Sequence, residues 1–418
     1  MNIFANFKQF GIFVAICVGI LALNLYIEFK NYEKFISSPY SFIKADLLFS
    51  DKREGKSGEY YIIQFKSDEF IFYTRSKNLP KCSSCEVGVI TKNLKFKNYI
   101  TGRFFLPSFK IVEFIKPPSI TNHLKSAIIS QHSDSKIQEL YSALYLATPM
   151  SKELRQNVTN WGIAHIIAIS GFHLSVIFVF IFFIAKFTIM PLQDRYFPYL
   201  NLRFYISLIL FILMGFYLYI LDFTPSFLRS YIMGVIGFLL LSRGLKIFSF
   251  GNLILSILIG VAFSVNLLFS IGFYFSALGV YFIFLYIHHF GNKDDLNSYW
   301  RIFIHTLALE IFVFLAMNIP VYYFFPTVSW YQISVIPIAY IFVIFYPLSL
   351  FLHIFGYGGI FDEWILRFLE FAPAQGRAVV SLWEFIGYNI LALLAIYKKQ
   401  IMILLAFLGL FVYIFALI

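Results

Sequence analysis

Residues 163–185 read IAHIIAISGFHLSVIFVFIFFIA, and in this stretch two histidines and two serines interrupt an otherwise apolar run. A helix needs about 20 mainly apolar residues to cross the hydrocarbon core of a bilayer, so the stretch is long enough. Polar and ionisable groups at that depth are unfavourable unless they face a partner or a water-filled cavity. The stretch therefore predicts a membrane-spanning segment that carries part of a functional site.

The rest of the chain shares this apolar character. Of its 418 residues, 60% are hydrophobic and only 13% are charged, and its mean hydropathy is +0.76. Soluble globular domains contain about 45–50% apolar and about 25% charged residues. This composition excludes an ordinary soluble enzyme, a disordered protein and a disulfide-rich scaffold. We predict a mainly α polytopic integral membrane protein with about 8–10 transmembrane helices.

Apolar runs after Trp161 mark the predicted spanning helices. They lie near residues 163–185, 204–221, 226–242, 249–268, 271–289, 302–319, 328–353, 379–397 and 401–418. Basic residues collect in alternate loops of this series, as the positive-inside rule requires of cytoplasmic loops. Residues 354–378 are predicted to form either a re-entrant element or an interfacial helix, so the topology beyond about residue 350 stays open.

Three segments precede this array. Residues 1–28 contain an uncharged apolar run at the lower limit for a spanning anchor. Residues 38–116 are polar and basic, and short segments such as EYYIIQF (59–65) predict a small β-barrel or sandwich outside the cytoplasm. Residues 119–160 have a helical pattern and are predicted to be an amphipathic connector. The array itself, residues 161–418, is the predicted transmembrane domain.

The two histidines of the opening stretch are His165 and His173. On a continuous helix, residues eight apart lie about 80° from each other and so share one face. Ser170-Gly171 between them favours a break or a close helix contact. The histidines could line a pore, or neighbouring carbonyl groups could simply satisfy them. No carboxylate or cysteine lies nearby in sequence, which disfavours zinc, and no metal or cofactor is expected.

A second polar cluster is LDFTPSFLR (221–229). Pro225 disfavours a straight helix here, so the cluster predicts a turn or a broken span. Arg229 lies about one turn into the next predicted span. Its side chain could snorkel to the membrane interface or pair with Asp222. It could instead face a polyanion in a water-filled channel.

Two further features lie deeper in the array. Glu310 falls near the middle of a predicted span, where it could belong to a proton pathway or pair with Arg229 or His305. Two prolines bracket the polar patch SWYQ (329–332). This arrangement predicts irregular backbone at membrane depth, which is tolerated only where it is buried in protein or lines water.

Four segments in the same order resemble the signatures of the ComEC family of competence proteins. AHIIAISGFHLS (164–175) resembles the family's HLLAISGLHVG, and FTPSFLRSYIMG (223–234) resembles S-P-S-x-x-R-A-x-x-M-G. FSVNLLFSIGFYFSALGV (263–280) resembles the signature that contains S-x-G-F-x-L-S. NIPVYYFFPTVSWYQISVIPIAY (318–340) resembles the final signature, a proline segment followed by N-L-x-x-x-P. Four ordered segments are far more specific than any one of them.

The resemblance implies an inner-membrane channel, not an enzyme, that passes one strand of transforming DNA into the cytoplasm. It also implies that the β module is an oligonucleotide-binding (OB)-like barrel on the periplasmic side. The channel residues carried over by motif are His165, Ser170, Gly171, His173, Pro225, Ser226, Arg229, Gly272, Ser276, Pro320, Gln332 and Pro337. Gln332 stands where the family has asparagine. Glu310 joins this set because of its position within a span.

The implied partners are single-stranded DNA, the lipid bilayer, a periplasmic DNA receptor and a cytosolic helicase-like motor. Many members of the family end in a metallo-β-lactamase-like domain that is proposed to degrade the other strand. This sequence ends in an apolar run without such a domain, so we expect any nuclease to be a separate protein.

Basic residues in the β module are the candidates for DNA contact, since a basic surface concentrates a polyanion. They are Lys92, Lys95, Lys97, Arg103 and Lys110. Lys95 and Lys97 are two apart and would share one face of a strand. Lys92 has the opposite parity and would join them only across a bulge or from the preceding turn. The alternative is a face that serves only solubility.

Cys82 and Cys85 lie in a polar loop of the same module as Cys-Ser-Ser-Cys. A compartment outside the cytoplasm permits oxidation. The family also has a disulfide in its outer region, so a Cys82–Cys85 disulfide is expected.

Two other functional classes stay open. A small-solute permease accounts for the spans and the buried charges but not for the basic β module. A membrane-embedded hydrolase could use Ser170 or the histidines, although no Ser-His-Asp arrangement follows from this spacing.

Overall fold

The computed structural model describes residues 7–55, 58–67, 70–80, 84–114, 120–242, 249–291, 298–371 and 376–418. Within these residues the chain is mostly helical, with one larger sheet near the N-terminus. The predicted fold class, a mainly α membrane protein with an N-terminal β module, is confirmed.

Helix α1 (Phe7–Ile36) begins as the predicted anchor and continues without interruption into the β module. Within the anchor, the side-chain amide of Asn24 donates to the carbonyl of Ala262 at 2.6 Å. In the last turns, the hydroxyl of Tyr32 donates to the carbonyl of Leu94 at 2.8 Å, and apolar side chains pack into the core of the sheet. One helix therefore joins the membrane domain to the module.

A six-stranded sheet follows α1. Its strands are β1 (Tyr40–Gly55), β2 (Gly58–Lys66), β3 (Ile71–Ser76), β4 (Ser84–Ile90), β5 (Arg103–Phe105) and β6 (Ser108–Glu113), with helix α2 (Phe96–Tyr99) between β4 and β5. The order across the sheet is β5-β3-β2-β1-β4-β6. Strand β1 pairs with β4 in its first half and with β2 in its second, around an irregularity between Leu47 and Phe49. Such a bulge bends a strand, and here the sheet encloses a core that includes Ile63, Phe65 and Phe72.

The two edge strands of this sheet approach each other. Only Leu106 and Pro107 separate β5 from β6. The amide of Leu106 donates to the carbonyl of Tyr73 at 2.8 Å, and the hydroxyl of Thr74 donates to that of Ser108 at 2.7 Å. The strand ladder does not close among the described residues. An OB-like barrel therefore stays a prediction, which the approach of the edges favours.

The connector contains α3 (Ile120–Ile129), α4 (Ser135–Leu146) and α5 (Lys152–Asn160). Asp134 caps α4, because its carboxylate accepts hydrogen bonds from two backbone amides of the first turn. Most of α4 is buried, and Tyr141 is fully enclosed. Helix α4 is therefore part of the packed core of the membrane domain.

The remaining helices form the array after Trp161. They are α6 (Ala164–Ile167), α7 (Gly171–Thr188), α8 (Met190–Tyr196), α9 (Leu202–Ile220), α10 (Pro225–Ser242), α11 (Phe250–Phe263), α12 (Ile271–Phe290), α13 (Tyr299–Phe324), α14 (Val335–Ile354), α15 (Asp362–Glu370), α16 (Leu382–Leu394) and α17 (Lys399–Phe415). Strands β7 (Thr327–Val328) and β8 (Gly376–Arg377) form a separate antiparallel pair. Single 3-10 turns cover Val265–Phe269, Trp330–Ser334 and Gly358–Phe361.

Seven helices within the described residues are long and apolar enough to cross a membrane. They are α1, α7, α9, α10, α12, α13 and α14, the last together with the 3-10 turn before it. The shorter apolar helices α11, α16 and α17 accompany them. Helices suit the bilayer because they satisfy every backbone group within the segment. The chain is therefore a multi-pass membrane protein.

The segment 354–378, predicted to be re-entrant or interfacial, contains a 3-10 turn and then the amphipathic helix α15. This helix has nine residues, which is too short to cross a membrane. Leu369 on one face is buried against the connector, whereas Trp364 on the other face is exposed. These features favour the interfacial alternative. Residues 372–375 lie outside the described residues.

The β module contacts two loops of the array. The ammonium group of Lys66 on β2 lies 2.8 Å from the carboxylate of Asp222, between α9 and α10. Gly102 has a φ of 65°, and a Cβ there would lie 3.2 Å from the side-chain amide of Asn266, between α11 and α12. The module is thus held against the loops that adjoin the second and third competence-like segments.

Candidate functional site

The first competence-like segment breaks between α6 and α7. Ser170 is extended and caps α7, because its hydroxyl accepts a hydrogen bond from the amide of Phe172 at 3.3 Å. In return, Nδ1 of His173 accepts a hydrogen bond from the amide of Ser170 at 3.2 Å, in the manner of a capping box. The predicted break at Ser170-Gly171 is confirmed.

This break places the two histidines in different surroundings. The prediction that His165 and His173 share one face of a continuous helix is wrong, because α6 ends at Ile167. His173 is fully buried edge-on to Tyr346, and its Nε2 has no hydrogen-bond partner among the described residues. His165 is exposed, and its ring lies within hydrogen-bond reach of the backbone of Gly162. His165 therefore lies at a surface of the fold, whereas His173 belongs to its packed interior.

Helices α7 and α10 approach each other closely at Gly171. A Cβ at this position would lie 2.8 Å from the Cβ of Ser230, closer than real Cβ atoms come to each other. Gly272 of the third segment differs, because it is exposed and a Cβ there would only come within 3.8 Å of Ser270. The close helix contact explains why position 171 is a glycine. No comparable contact accounts for the glycine at position 272.

Arg229 lies where the second and third segments meet, and its neighbour Ser230 packs against Gly171 of the first. Its Nε and Nη2 donate to the hydroxyl of Ser276 on α12 at 2.9 and 2.6 Å, and Nη2 also donates to Ser230 at 2.9 Å. The hydroxyl of Ser226 lies 3.3 Å from that of Ser276. The remaining contact is from Nη1 to the sulfur of Met233 at 3.5 Å. The guanidinium is therefore held by serine hydroxyls from two helices.

No carboxylate lies within ion-pair distance of Arg229 in the part of the chain that the structure describes. The alternative that it snorkels is wrong, because the residue is only 3% exposed. The alternative that it pairs with Asp222 is also wrong, because Lys66 holds that carboxylate. The serines cover the guanidinium, so it does not face open water here. A buried charge without a counter-charge is unfavourable, which makes a role with an anion the stronger interpretation.

The turn predicted before Arg229 is confirmed. Helix α9 ends at Ile220 and α10 begins with Pro225, a position where a helix does not need the missing N–H group. Between them Asp222 and Phe223 have φ values of 54° and 51°, in the left-handed region. This tight turn brings the start of α10 beside α7.

Gln332 of the fourth segment is fully engaged in the fold. Its Nε2 donates to the carbonyl groups of Thr327 at 3.0 Å and Thr159 at 3.3 Å, and its Oε1 accepts from the hydroxyl of Tyr322 at 3.0 Å. Gly162 approaches the same residue, and a Cβ there would lie 2.9 Å from the carbonyl of Gln332. Gln332 thus fixes the segment before His165 against the loop after α13 and has no free donor for a passing strand.

The irregular backbone predicted around this residue is confirmed. Strand β7 and the 3-10 turn Trp330–Ser334 lie between α13 and α14. Pro320 is buried inside α13 near its end, and Pro337 falls in the first turn of α14. Both prolines therefore lie where the adjoining helix ends or begins.

Glu310 lies within α13 and faces the hydroxyl of Tyr340 on α14. Its Oε2 is buried and has no hydrogen-bond partner among the described residues. The alternative that Glu310 pairs with Arg229 is wrong, because the contacts of Arg229 are to serines and a methionine. A role in a proton pathway stays a prediction.

The basic side chains proposed to contact DNA are all exposed, namely Lys92, Lys95, Lys97, Arg103 and Lys110. The prediction that Lys95 and Lys97 share a strand face is wrong, because β4 ends at Ile90 and Lys97 belongs to α2. Phe96 packs against Tyr32 of α1, which places this segment in a helical turn. Of the other three, Lys92 lies in the preceding turn, Arg103 on β5 and Lys110 on β6.

The predicted disulfide stays a prediction. Cys85 is fully buried on β4, but Cys82 lies outside the described residues. Across the described ranges, no three His, Cys, Asp or Glu side chains are grouped as a metal site would require.

The comparison with protein families decides the membership. The family model described as Competence protein matches residues 147–418, which include all four signature segments. The chain belongs to the competence protein family. Comparisons with curated proteins and with solved structures find no match. Membership in this family supports a role in DNA uptake during competence.

The competence protein also has an exposed aromatic ladder that the sequence analysis missed. Tyr40 and Phe42 on β1 each lie 5.7 Å, centroid to centroid, from the ring of Phe109 on β6. Gly88 on β4 provides the space, since a Cβ there would lie 2.6 Å from the Phe109 ring. The three rings are at least half exposed. The alternation of Tyr40, Phe42 and Lys44 along one strand was the available signal.

Proposed function

We propose that this competence protein is an inner-membrane channel that passes a single DNA strand into the cytoplasm. The observation that carries the proposal is Arg229, a buried cation where the second and third competence segments meet, with serine hydroxyls and no described carboxylate beside it. Its charge attracts phosphate groups, and the hydroxyls offer weak hydrogen bonds to them. Since the guanidinium is covered, helices α7, α10 and α12 separate when the strand passes.

A single cation suits transport better than many. A conduction path has to bind its substrate well enough to admit it and weakly enough to release it. A row of arginines would hold a polyanion too tightly to let it move on. Movement then draws on an energy source elsewhere, which we propose is a cytosolic helicase-like motor or protons that pass through Glu310.

The β module captures DNA on the periplasmic side in this proposal. Its exposed lysines and arginine attract the phosphate backbone. The ladder of Tyr40, Phe42 and Phe109 offers ring faces on which unpaired bases stack, which favours a single strand over a duplex. The salt bridge from Lys66 to Asp222 joins the β module to the loop that leads to Arg229.

The channel residues act by lining the path and not by bond chemistry, so we propose that the chain is not an enzyme. A periplasmic receptor supplies the DNA, and a separate protein degrades the other strand. Both partners belong to the same proposal. The cluster around Arg229 offers a charge and hydroxyl groups but no activated nucleophile, so we assign cleavage of the other strand to a separate protein.

The experiment follows fluorescent transforming DNA in cells that lack this protein and in cells that express variants of it. We expect DNA to accumulate in the periplasm without reaching the cytoplasm, and the wild-type gene to restore uptake. Ser276→Ala removes two hydrogen bonds to Arg229 and is expected to reduce uptake. Ser242→Ala, at the exposed end of α10, is the matched control with normal uptake.

Undiminished arrival of DNA in the cytoplasm of the deletion strain would contradict the channel proposal. Saturable uptake of a small metabolite by the purified protein in vesicles would favour the permease class. Turnover of a substrate that Ser170→Ala abolishes would favour the hydrolase class.

A further inference from the structure

Three ionisable side chains meet outside all four competence segments. They are His132 in the turn between α3 and α4, His353 in the last turn of α14, and Asp362 at the start of α15. Nδ1 of His132 lies 2.9 and 3.0 Å from the two carboxylate oxygens of Asp362. Nε2 of His132 lies 3.0 Å from Nε2 of His353. Nothing in the proposed DNA path uses these groups.

The two imidazoles are buried, at 5% and 8% exposure. The ring of Tyr141 on α4 stacks on His132 with centroids 4.5 Å apart and planes 7° apart. On the other side, Nδ1 of His353 lies 2.6 Å from the carbonyl oxygen of Ser349. The cluster therefore has a defined hydrogen-bond partner at each end.

The positions of the ring nitrogens and their partners determine how many protons the two histidines bind. The carbonyl oxygen of Ser349 only accepts hydrogen bonds, so Nδ1 of His353 carries a hydrogen. The carboxylate of Asp362 likewise requires a hydrogen on Nδ1 of His132. If both rings were neutral, each Nε2 would then be bare. Two lone pairs would face each other at 3.0 Å, which is repulsive. One additional proton between the two Nε2 atoms turns this contact into a hydrogen bond.

We infer that His132 and His353 form a binding site for one proton, shared between their Nε2 atoms, with Asp362 as the counter-charge. Burial alone disfavours a charged imidazole, and the adjacent carboxylate offsets that effect. The inference does not depend on the DNA-channel proposal.

The groups that face this site from each neighbouring element are few. From α4 they are the hydroxyls of Tyr141 and Tyr145, the latter 3.4 Å from Nδ1 of His353. Burial raises the pKa of Tyr141, the charge of Asp362 raises it further, and burial also raises the pKa of Tyr145. Both phenols therefore stay neutral and add no negative charge. Gln131 at the end of α3 bonds to backbone groups of His353 and Gly358.

The shared proton links the connector to the membrane helices. His132 belongs to the connector, whereas His353 and Asp362 belong to α14 and α15. Loss of the proton as pH rises leaves two facing lone pairs, so the contact opens. The site thus makes the attachment of the connector sensitive to pH.

The test is nitrogen-15 NMR of the full chain labelled at histidine and reconstituted in lipid nanodiscs. Free histidine is neutral at about pH 8, well above its ordinary pKa of about 6.5. We expect the wild type at that pH to retain one imidazolium signal that is spread over two residues. His132→Gln and His353→Gln should each lose it completely, and His288→Gln, at the exposed end of α12, should keep it.

A wild-type spectrum with only neutral histidines at about pH 8 would overturn the inference, and this requires no variant to fold. An unchanged imidazolium signal in His132→Gln would overturn it equally. Tyr141→Phe keeps every hydrogen bond of the pair and should retain the signal. Asp362→Asn should release the proton at lower pH than the wild type, because the counter-charge is gone.

Discussion

Two buried cationic sites in this protein differ in whether a negative charge lies beside the positive one. Around His132 and His353 the positive charge has a carboxylate beside it, and every ring nitrogen has a partner. Around Arg229 only neutral hydroxyls and a sulfur atom are present. A buried charge with a counter-charge can stabilise the local structure. A buried charge without one can still attract an approaching anion. The first site fits a role in holding helices together, and the second fits a role in transport.

The largest effect is expected from Gly171→Val, because its side chain would collide with Ser230 and drive α7 away from α10. Overpacking of this kind destabilises a protein by about 1–3 kcal/mol. We expect transformation to be abolished and the thermal unfolding temperature to fall. Gly279→Val on α12 is the control, since a Cβ there has nothing within 4 Å. Equal behaviour of the two variants would show that the α7–α10 contact is not needed.

Arg229→Gln separates transport from stability. Removal of a buried, unpaired charge does not weaken the fold, so the unfolding temperature should be unchanged or higher. Transformation should fall about tenfold or more, the equivalent of about 1.4 kcal/mol. Arg203→Gln in an exposed position serves as the control. A variant that unfolds more easily than the wild type would mean that Arg229 is a structural residue after all.

Asp362→Asn should lower stability more than transport, the opposite of the result expected for Arg229→Gln. It leaves the shared proton of His132 and His353 without its counter-charge, so the unfolding temperature at neutral pH should fall. Because the carboxylate is partly exposed, with 23% side-chain accessibility, we expect a loss of about 1–3 kcal/mol. Glu363→Gln, whose partner Arg367 is at the surface, is the matched control. Calorimetry of both variants in nanodiscs measures the difference.

Glu310→Gln tests the proton pathway. The substitution keeps the size of the side chain and removes its charge, so protein level and unfolding temperature should be unchanged. Loss of transformation together with loss of proton uptake by reconstituted protein would support the pathway. Normal transformation would remove Glu310 from the mechanism and leave the motor as the proposed energy source.

The smallest effects are expected in the β module, where two sets of residues should respond differently to salt. Alanine at the five basic positions should reduce the salt dependence of DNA binding by the full chain, since each phosphate contact adds about 0.7 to the slope for a single strand. Alanine at Tyr40, Phe42 and Phe109 should weaken binding by about 1–3 kcal/mol per stacked base and leave the slope unchanged. Fluorescence titrations at several salt concentrations distinguish the two sets. Identical slopes for the wild type and the variant with alanine at all five basic positions would show that these residues serve only solubility.

Local sequence was enough to predict the seven long apolar helices of the described residues, the break at Ser170 and the turn at Pro225. Each depends on residues close in the chain, such as an apolar run, a capping serine or a proline. The arrangement of His165 and His173 was wrong because it assumed that the helix continued through the break. The placement of Lys97 was wrong because Phe96 packs against Tyr32, a contact between distant residues.

The site at His132 could not be found in this way. His132 lies more than 200 positions from both His353 and Asp362 along the chain, and each residue looks ordinary in its own segment. Histidine and aspartate near helix ends are common, so neither carries a signal without the other. Only the fold brings the connector against the end of α14.

Helix α1 has a mechanical consequence. It runs unbroken from the membrane into the core of the sheet, is tied to the array through Asn24 and to the module through Tyr32, and leaves no hinge between them. In the proposed function, tension on a strand held by the module would be transmitted along this continuous helix, and the bond between Lys66 and Asp222 would direct part of it to the turn before Arg229. A pull from the cytoplasm would load the helices around that arginine, and the captured strand itself could supply the force that parts them.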